Sequence, residues 1–127
     1  MDLVLEPGRC AVCRLAPTAP WPSPPTGTRL YSVTLDADEL SVVCHEGDEP
    51  PGAEVEGGWR ALRIEGPLAF DLVGVIASIT APLAAAGIGV FVISTFDTDV
   101  VLVKDDALDS CIDVLGAAGH VVRSLRD

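Results

Sequence analysis

Residues 60–122 alternate short apolar strands with glycine-terminated helices in the order β-α-β-β-α-β. Apolar and β-branched runs predict the strands, at residues 61–66, 90–95, 100–103 and 120–122. This order is that of a split β-α-β sandwich, in which two helices cover one face of a mainly antiparallel sheet. The sequence therefore predicts an α+β fold. Small sandwiches of this kind often bind small ligands and seldom perform covalent chemistry.

Helical periodicity and terminal signals place the two helices. Asp71 is the expected N-cap of the first helix, Gly87 is its stop, and Pro82 predicts a kink or a shortened end. The second helix is expected to begin with an aspartate cap at residue 105 or 106 and to end at Gly119. The predicted buried stripes are formed by Leu72, Val75 or Ile76, Ile79 and Leu83, and by Leu108, Cys111, Ile112 and Leu115.

Residues 1–58 differ in character from the rest of the chain. Five prolines in residues 16–28 exclude a regular helix or a central strand there, so we predict a polyproline-like loop. Residues 36–38 mark a hairpin turn, and the acidic residues 45–58 predict a connector. We therefore divide the chain into residues 1–58 and 59–127. The first region's short strands are predicted at residues 3–5, 10–15, 30–35 and 39–44.

Composition excludes several classes of partner. The chain has 127 residues, of which 49% are hydrophobic, and this is enough for one compact domain or two small modules that share a core. Its net charge of −11 argues against nucleic acid and against an anionic membrane surface, because both attract cationic proteins. The N-terminus does not resemble a signal peptide, and the longest apolar stretch is interrupted by polar residues, proline and glycine. We expect a cytoplasmic protein.

The positions of the cysteines and histidines give only weak support for metal, redox or catalytic chemistry. Cys10 and Cys13 lie in a predicted strand, where positions i and i+3 point to opposite faces. Adding Cys44 and His45 gives an incomplete zinc pattern, so a metal or redox protein is a remote alternative to buried, reduced cysteines. His45 and His120 lack a recognisable triad signature. We expect no enzyme, no catalytic residue, no metal and no cofactor.

Two interruptions of the strand and helix pattern expose polar groups. Gly74 lies at the predicted helix start. Its lack of a side chain either lets the helix pack closely against the sheet or leaves the backbone N–H groups open to a carboxylate. The turn at residues 94–99 offers hydroxyls, an aromatic ring and carboxylates, and it is either a solvated hairpin or part of a site. A helix start for a carboxylate and an aspartate of this turn for an ammonium group would suit a free amino acid.

Three motifs within these segments resemble the ACT domain. They are G-W-R-A-L-R at residues 58–63, G-V-I-A-S at 74–78 and I-S-T-F-D-T-D at 93–99. The resemblance is to the subfamily of small bacterial tandem-ACT proteins, aspartate kinases and eukaryotic cytosolic arginine sensors, and it covers residues 58–122. Residues 1–58 resemble a degenerate ACT module. The resemblance implies a ferredoxin-like βαββαβ sandwich in two tandem modules, the first degenerate.

The resemblance also implies a function, namely a non-enzymatic regulatory or sensor protein that binds a small ligand, usually an amino acid, between ACT modules. Asp99 would hold the ligand's cation, and the backbone near Gly74 its carboxylate. The strand edge at residues 88–90 of a neighbouring module would close the site in a homodimer. The implied ligand-binding residues are Leu72, Val73, Gly74, Val75, Ile88, Gly89, Thr95, Phe96 and Asp99.

Homodimerisation is expected for a physical reason as well, because the edge strands of an open four-stranded sheet seek pairing. The alternative is a homo-oligomeric assembly or interaction module with no ligand.

Overall fold

The computed structural model describes residues 1–125, which form two compact units. One unit contains Met1–Pro7 together with the chain from Trp59 onward, and the other is Gly8–Gly58. The division into two tandem modules at residue 58 stays a prediction. In chain order the elements are β1 (Asp2–Leu5), β2 (Cys10–Leu15), β3 (Ser32–Leu35), β4 (Leu40–His45), β5 (Glu54–Ile64), α1 (Val75–Ala85), β6 (Phe91–Ser94), β7 (Asp99–Lys104), α2 (Leu108–Ala117) and β8 (Val121–Ser124).

The predicted α+β fold is confirmed, and β5, α1, β6, β7, α2 and β8 follow each other in the expected βαββαβ order. The sheet of this unit has five strands in the order β8-β1-β5-β7-β6 instead of the expected four. The additional strand is β1, which pairs antiparallel with β5 and parallel with β8. β5 also begins earlier than predicted, at Glu54, within the segment expected to be a connector.

Both helices pack on one face of this sheet. Alternate residues of β1, β5 and β7 point toward the helices, as period-two strands require. The stripe residues that the helices bury are Ile79, Leu83, Leu108, Cys111 and Leu115, and Val75, Ile76 and Ile112 are partly buried. Leu72 lies outside α1 and is 53% exposed. The core is formed by Leu3, Leu5, Leu62, Ile64, Ile79, Leu83, Val101, Val103, Leu108, Cys111 and Leu115.

Both helices stop before the predicted glycines, Gly87 and Gly119, but their starts differ from the predicted caps. α1 follows Gly74 in the N-cap position, so Asp71 does not cap it, and the helix continues to Ala85 with Pro82 inside it. α2 is preceded by a turn of 3-10 helix at Asp105–Ala107, and no aspartate side chain caps it. The carboxylate of Asp105 instead accepts a hydrogen bond of 3.2 Å from Arg60 on β5.

The Gly8–Gly58 unit is built on the antiparallel strands β2, β4 and β3. The predicted hairpin is confirmed, because Asp36 Oδ1 accepts hydrogen bonds from the N–H groups of Asp38 (2.8 Å) and Glu39 (2.9 Å). Such an Asx turn reverses the chain and sets the β3–β4 register, with Leu35 opposite Leu40. The prolines of residues 16–28 lie in a loop, as predicted.

Candidate functional site

An open cleft of about 220 Å³ lies in the C-terminal unit, between the loop that precedes α1 and the β6–β7 turn. This volume suits a ligand smaller than the drug-sized molecules that occupy pockets of roughly 300–1,000 Å³. One wall is mainly apolar and the other mainly polar. The cleft is lined by Leu68, Ala69, Phe70, Leu72, Val75, Ser94, Thr95, Phe96, Asp97, Thr98 and Asp99.

Hydrogen bonds within the β6–β7 turn fix the polar wall. The backbone N–H of Thr95 donates to the carbonyl oxygen of Thr98 at 2.8 Å, and the Thr98 N–H donates back to Thr95 Oγ1 at 3.2 Å. Ser94 and Asp99 form the last residue pair of the β6–β7 ladder, and the Ser94 hydroxyl donates to Asp99 Oδ1 at 2.6 Å. A carboxylate accepts about four hydrogen bonds, so Asp99 has capacity for a ligand's donors.

Hydrogen bonds connect the two walls of the cleft. The Leu68 N–H donates to the carbonyl oxygen of Asp97 at 2.7 Å, and the Thr98 hydroxyl donates to the carbonyl oxygen of Ile64 at 2.6 Å. Gly66 makes this approach possible, because a Cβ atom there would lie 3.0 Å from the Asp97 carbonyl oxygen. The end of β5 and the β6–β7 turn thus hold the cleft in a defined shape.

Two phenylalanines face each other at the edge of the cleft. The rings of Phe70 and Phe96 meet edge to face, with centroids 4.7 Å apart and an interplanar angle of 88°. This is a favourable geometry for aromatic pairs, yet the two side chains are 75% and 79% exposed. Large rings so exposed are typical of surfaces that contact a ligand or a partner.

The start of α1 borders the apolar wall. Gly74 has a φ of 79°, and no side chain caps the helix. A Cβ atom at Gly74 would meet nothing within 4 Å, so the glycine serves this backbone conformation, and the alternative of close packing against the sheet is wrong. The first N–H groups of a helix have no partner within the helix, and they favour anions. Val75, the first helical residue, lines the cleft.

Five of the nine predicted ligand-binding residues line the cleft. They are Leu72, Val75, Thr95, Phe96 and Asp99. Val73 and Gly74 are adjacent to it in the chain, and Val73 is 92% exposed. Ile88 and Gly89 follow α1 and do not line the cleft of the same chain. Ligand binding by all nine residues remains a prediction.

Sequence reasoning missed one part of the cleft wall, namely Leu68, Ala69 and Phe70. These residues come close to the β6–β7 turn only through the bonded contact between Leu68 and Asp97, which joins segments distant in sequence. Phe70 is the one local signal, because a large aromatic ring in a loop between a strand and a helix calls for an explanation.

The four cysteines are buried, as predicted, and burial makes Cys44 and Cys111 poor nucleophiles. Burial, with a smaller contribution from Cys13, raises the pKa of the Cys44 thiol to about 12, and burial raises the pKa of Cys111 to about 11. Thiols with such pKa values stay protonated at neutral pH, and only the thiolate is reactive. Within residues 1–125, His, Cys, Asp and Glu form no group of three or more that could hold a metal ion.

The described part of the chain contains no helix that is both long enough and apolar enough to span a membrane.

The fold and the cleft together define the class of protein, a small βαββαβ module with a ligand-sized cleft beside its first helix. The chain belongs to the ACT domain family, since the model of that family matches residues 54–117, half of the chain. A second family model, that of an N-terminal domain, matches residues 8–51.

Relatives share either part or nearly all of the chain. The cytosolic arginine sensor for mTORC1, subunit 1, of Homo sapiens is 52% identical over 58 residues, which are 45% of this chain and 18% of the relative. The chain therefore spans less than a fifth of the length of the curated relatives that it matches. A solved protein of Agobacterium tumefaciens is 36% identical with a TM-score of 0.90, and the match covers 99% of this chain and 94% of that protein.

A more distant structural neighbour is the regulatory subunit of aspartate kinase from Thermus thermophilus. Its TM-score is 0.58 at 10% identity, and the match covers 87% of this chain and 93% of that one. At this identity the likeness shows the fold alone.

Proposed function

We propose that this protein is a non-enzymatic regulatory sensor that binds a free amino acid in the cleft between the residue 68–72 loop and the β6–β7 turn. The observation that carries the proposal is that the Asp99 carboxylate and the first residue of α1 line one cleft of about 220 Å³. One relative is a cytosolic arginine sensor, and this supports both a regulatory role and a cytoplasmic location.

The cleft offers a separate partner for each end of an amino acid. Asp99, held by the Ser94 hydroxyl, would accept hydrogen bonds from the ligand's ammonium group, and such charge-assisted bonds are stronger than neutral ones. The N–H groups at the start of α1 would receive the carboxylate, because a helix N-terminus carries a partial positive charge. The apolar surface of Leu72, Phe70 and Phe96 would contact the ligand's side chain.

A second copy of the chain would complete the site. Ile88 and Gly89 lie outside the cleft of their own chain, and we propose that they reach the cleft of the partner in a homodimer. Exposed apolar side chains surround the cleft, namely Phe70, Leu72, Val73 and Phe96. An apolar surface of this kind is typical of an interface, and the dimer would cover it.

A thermal-shift screen of the twenty amino acids tests the proposal, because a ligand that binds the native state raises the melting temperature. At least one amino acid should raise it by several degrees at about 10 mM, whereas its N-acetyl form and its amide should have little effect. These analogues lack the ammonium charge and the carboxylate charge respectively. The proposal fails if no amino acid stabilises the protein, or if both analogues stabilise it equally well.

The second candidate is a homo-oligomeric assembly module that binds no ligand. The exposed apolar residues around the cleft favour it, since they suit a partner surface as well as a ligand. Light scattering with size-exclusion chromatography separates the candidates when combined with the screen. A stable dimer that no amino acid stabilises would support the assembly module.

A further inference from the structure

The proline-rich loop between β2 and β3 has a restricted backbone. Each residue from Ala19 to Pro25 is either a proline or the residue that precedes one. Proline fixes φ near −65°, and the residue before a proline is driven away from the helical region. Both restrictions favour the polyproline II helix, and residues 20–25 belong to no helix, strand or turn.

Two hydrogen-bonded turns anchor the ends of this segment. The Ala19 N–H donates to the carbonyl oxygen of Ala16 at 3.0 Å, and the Thr28 N–H donates to the carbonyl oxygen of Pro25 at 3.2 Å. Between the turns Pro22 is partly buried and the other side chains are exposed, with Trp21 64% exposed. A segment that is already ordered loses little conformational entropy on binding. Its exposed tryptophan and prolines can therefore contact a partner without a large entropic penalty.

The sequence stretch that contains this segment has a net charge opposite in sign to that of the whole chain. Residues 7–35 contain none of the chain's 19 acidic residues but include three arginines, although the net charge of the chain is −11. Arg14 and Arg29 are exposed near the two ends of the loop. A partner that binds here therefore gains from carboxylates at the rim of its binding groove.

We propose that residues 19–25 are a docking segment for a protein domain of the SH3 type, with an aromatic-lined groove and an acidic rim. Pro22 and Pro25 have the P-x-x-P spacing that such grooves read in a polyproline II helix, and Trp21 adds a large contact surface beside them. The docking segment lies in the Gly8–Gly58 unit, whereas the amino-acid cleft lies in the other unit. The proposal is thus independent of ligand binding.

Calorimetric titration of the full chain with a panel of purified SH3 domains that carry acidic rims tests the proposal. At least one domain should bind with micromolar affinity, and P22A/P25A and W21A should each weaken that binding about tenfold or more. The matched control is P50A/P51A, a proline pair in an acidic loop, which should bind like the unchanged protein. Circular dichroism establishes that each variant is folded.

Salt and charge provide a second measurement. R14Q/R29Q should weaken SH3 binding about tenfold. Raising the ionic strength to about 0.5 M should lower the affinity of the SH3 domain for the unchanged protein severalfold. The proposal is overturned if no domain of the panel binds at roughly 1 mM, a concentration that detects even weak contacts. It is also overturned if P50A/P51A weakens binding as much as P22A/P25A does.

Discussion

Gly74 determines where the first helix begins. Helical periodicity predicts a start near Leu72 with Asp71 as the cap, because the apolar spacing extends to that residue. The backbone at Gly74 instead has a φ of 79°, outside the helical range, so regular helix begins only at Val75. Leu72 consequently belongs to the loop and lines the cleft. The sign of φ at a glycine depends on tertiary context, and the residue pattern does not reveal it.

Replacing two glycines by alanine should change stability in opposite directions. Gly74→Ala should destabilise the protein by about 1 kcal/mol, because alanine is strained at positive φ. Gly116→Ala should stabilise it by roughly 0.5–1 kcal/mol, because Gly116 lies within α2 and has open space around it. Urea unfolding measures both changes. Equal effects of the two substitutions would contradict the assigned backbone conformations.

Cys44 should make stability depend on pH in the alkaline range. Burial raises the pKa of its thiol from 9.0 to about 12, so the folded state keeps a proton that the unfolded state releases. This contribution to stability is fully present below pH 9 and is lost as the pH rises toward 12. Urea unfolding between pH 8 and about 10.5 should show a decline that is smaller in Cys44→Ala. An identical decline in the variant would contradict this account.

At the scale of elements, residues close in sequence are sufficient to predict the turns but not to predict which strands pair with each other. The Asp36 turn follows from residues close in sequence, and the structure confirms the hairpin. The strand at residues 3–5 was predicted as well, but its apolar pattern does not say that it pairs with β5 and β8. Those partners lie about 60 and 120 residues away in the chain. The loop at Leu68 escaped prediction for the same reason.

Leu3 tests whether β1 is an integral strand of the C-terminal unit. Its side chain is fully buried in the core formed with α1 and α2. Leu3→Ala should destabilise the protein by about 2–4 kcal/mol, the range for a truncated core leucine. Leu35→Ala on β3 should cost less than about 1 kcal/mol, because Leu35 is exposed. Chemical denaturation compares the free energies of unfolding of the two variants. If Leu3→Ala left the free energy of unfolding unchanged, β1 would not be part of the core.

At the scale of the whole molecule, one unit carries the cleft that we assign to an amino acid and the other carries the segment that we assign to a protein partner. The motif resemblance covers the polar wall of the cleft, since the motif at residues 93–99 contains the β6–β7 turn and the strand ends on either side of it. It also implied Ile88 and Gly89, which the cleft of a single chain does not contain. A site shared between two copies, as we propose, would account for both observations.

The most direct test of the central claim is calorimetric titration of the stabilising amino acid into the unchanged protein, Asp99→Asn and Asp106→Asn. Asp99 lines the cleft, whereas Asp106 is an exposed residue of the 3-10 turn before α2 and does not line it. Loss of the charged partner of the ammonium group should weaken binding to Asp99→Asn by about tenfold to a hundredfold, with Asp106→Asn unchanged. Equal affinity in all three proteins would contradict an amino-acid site at this cleft.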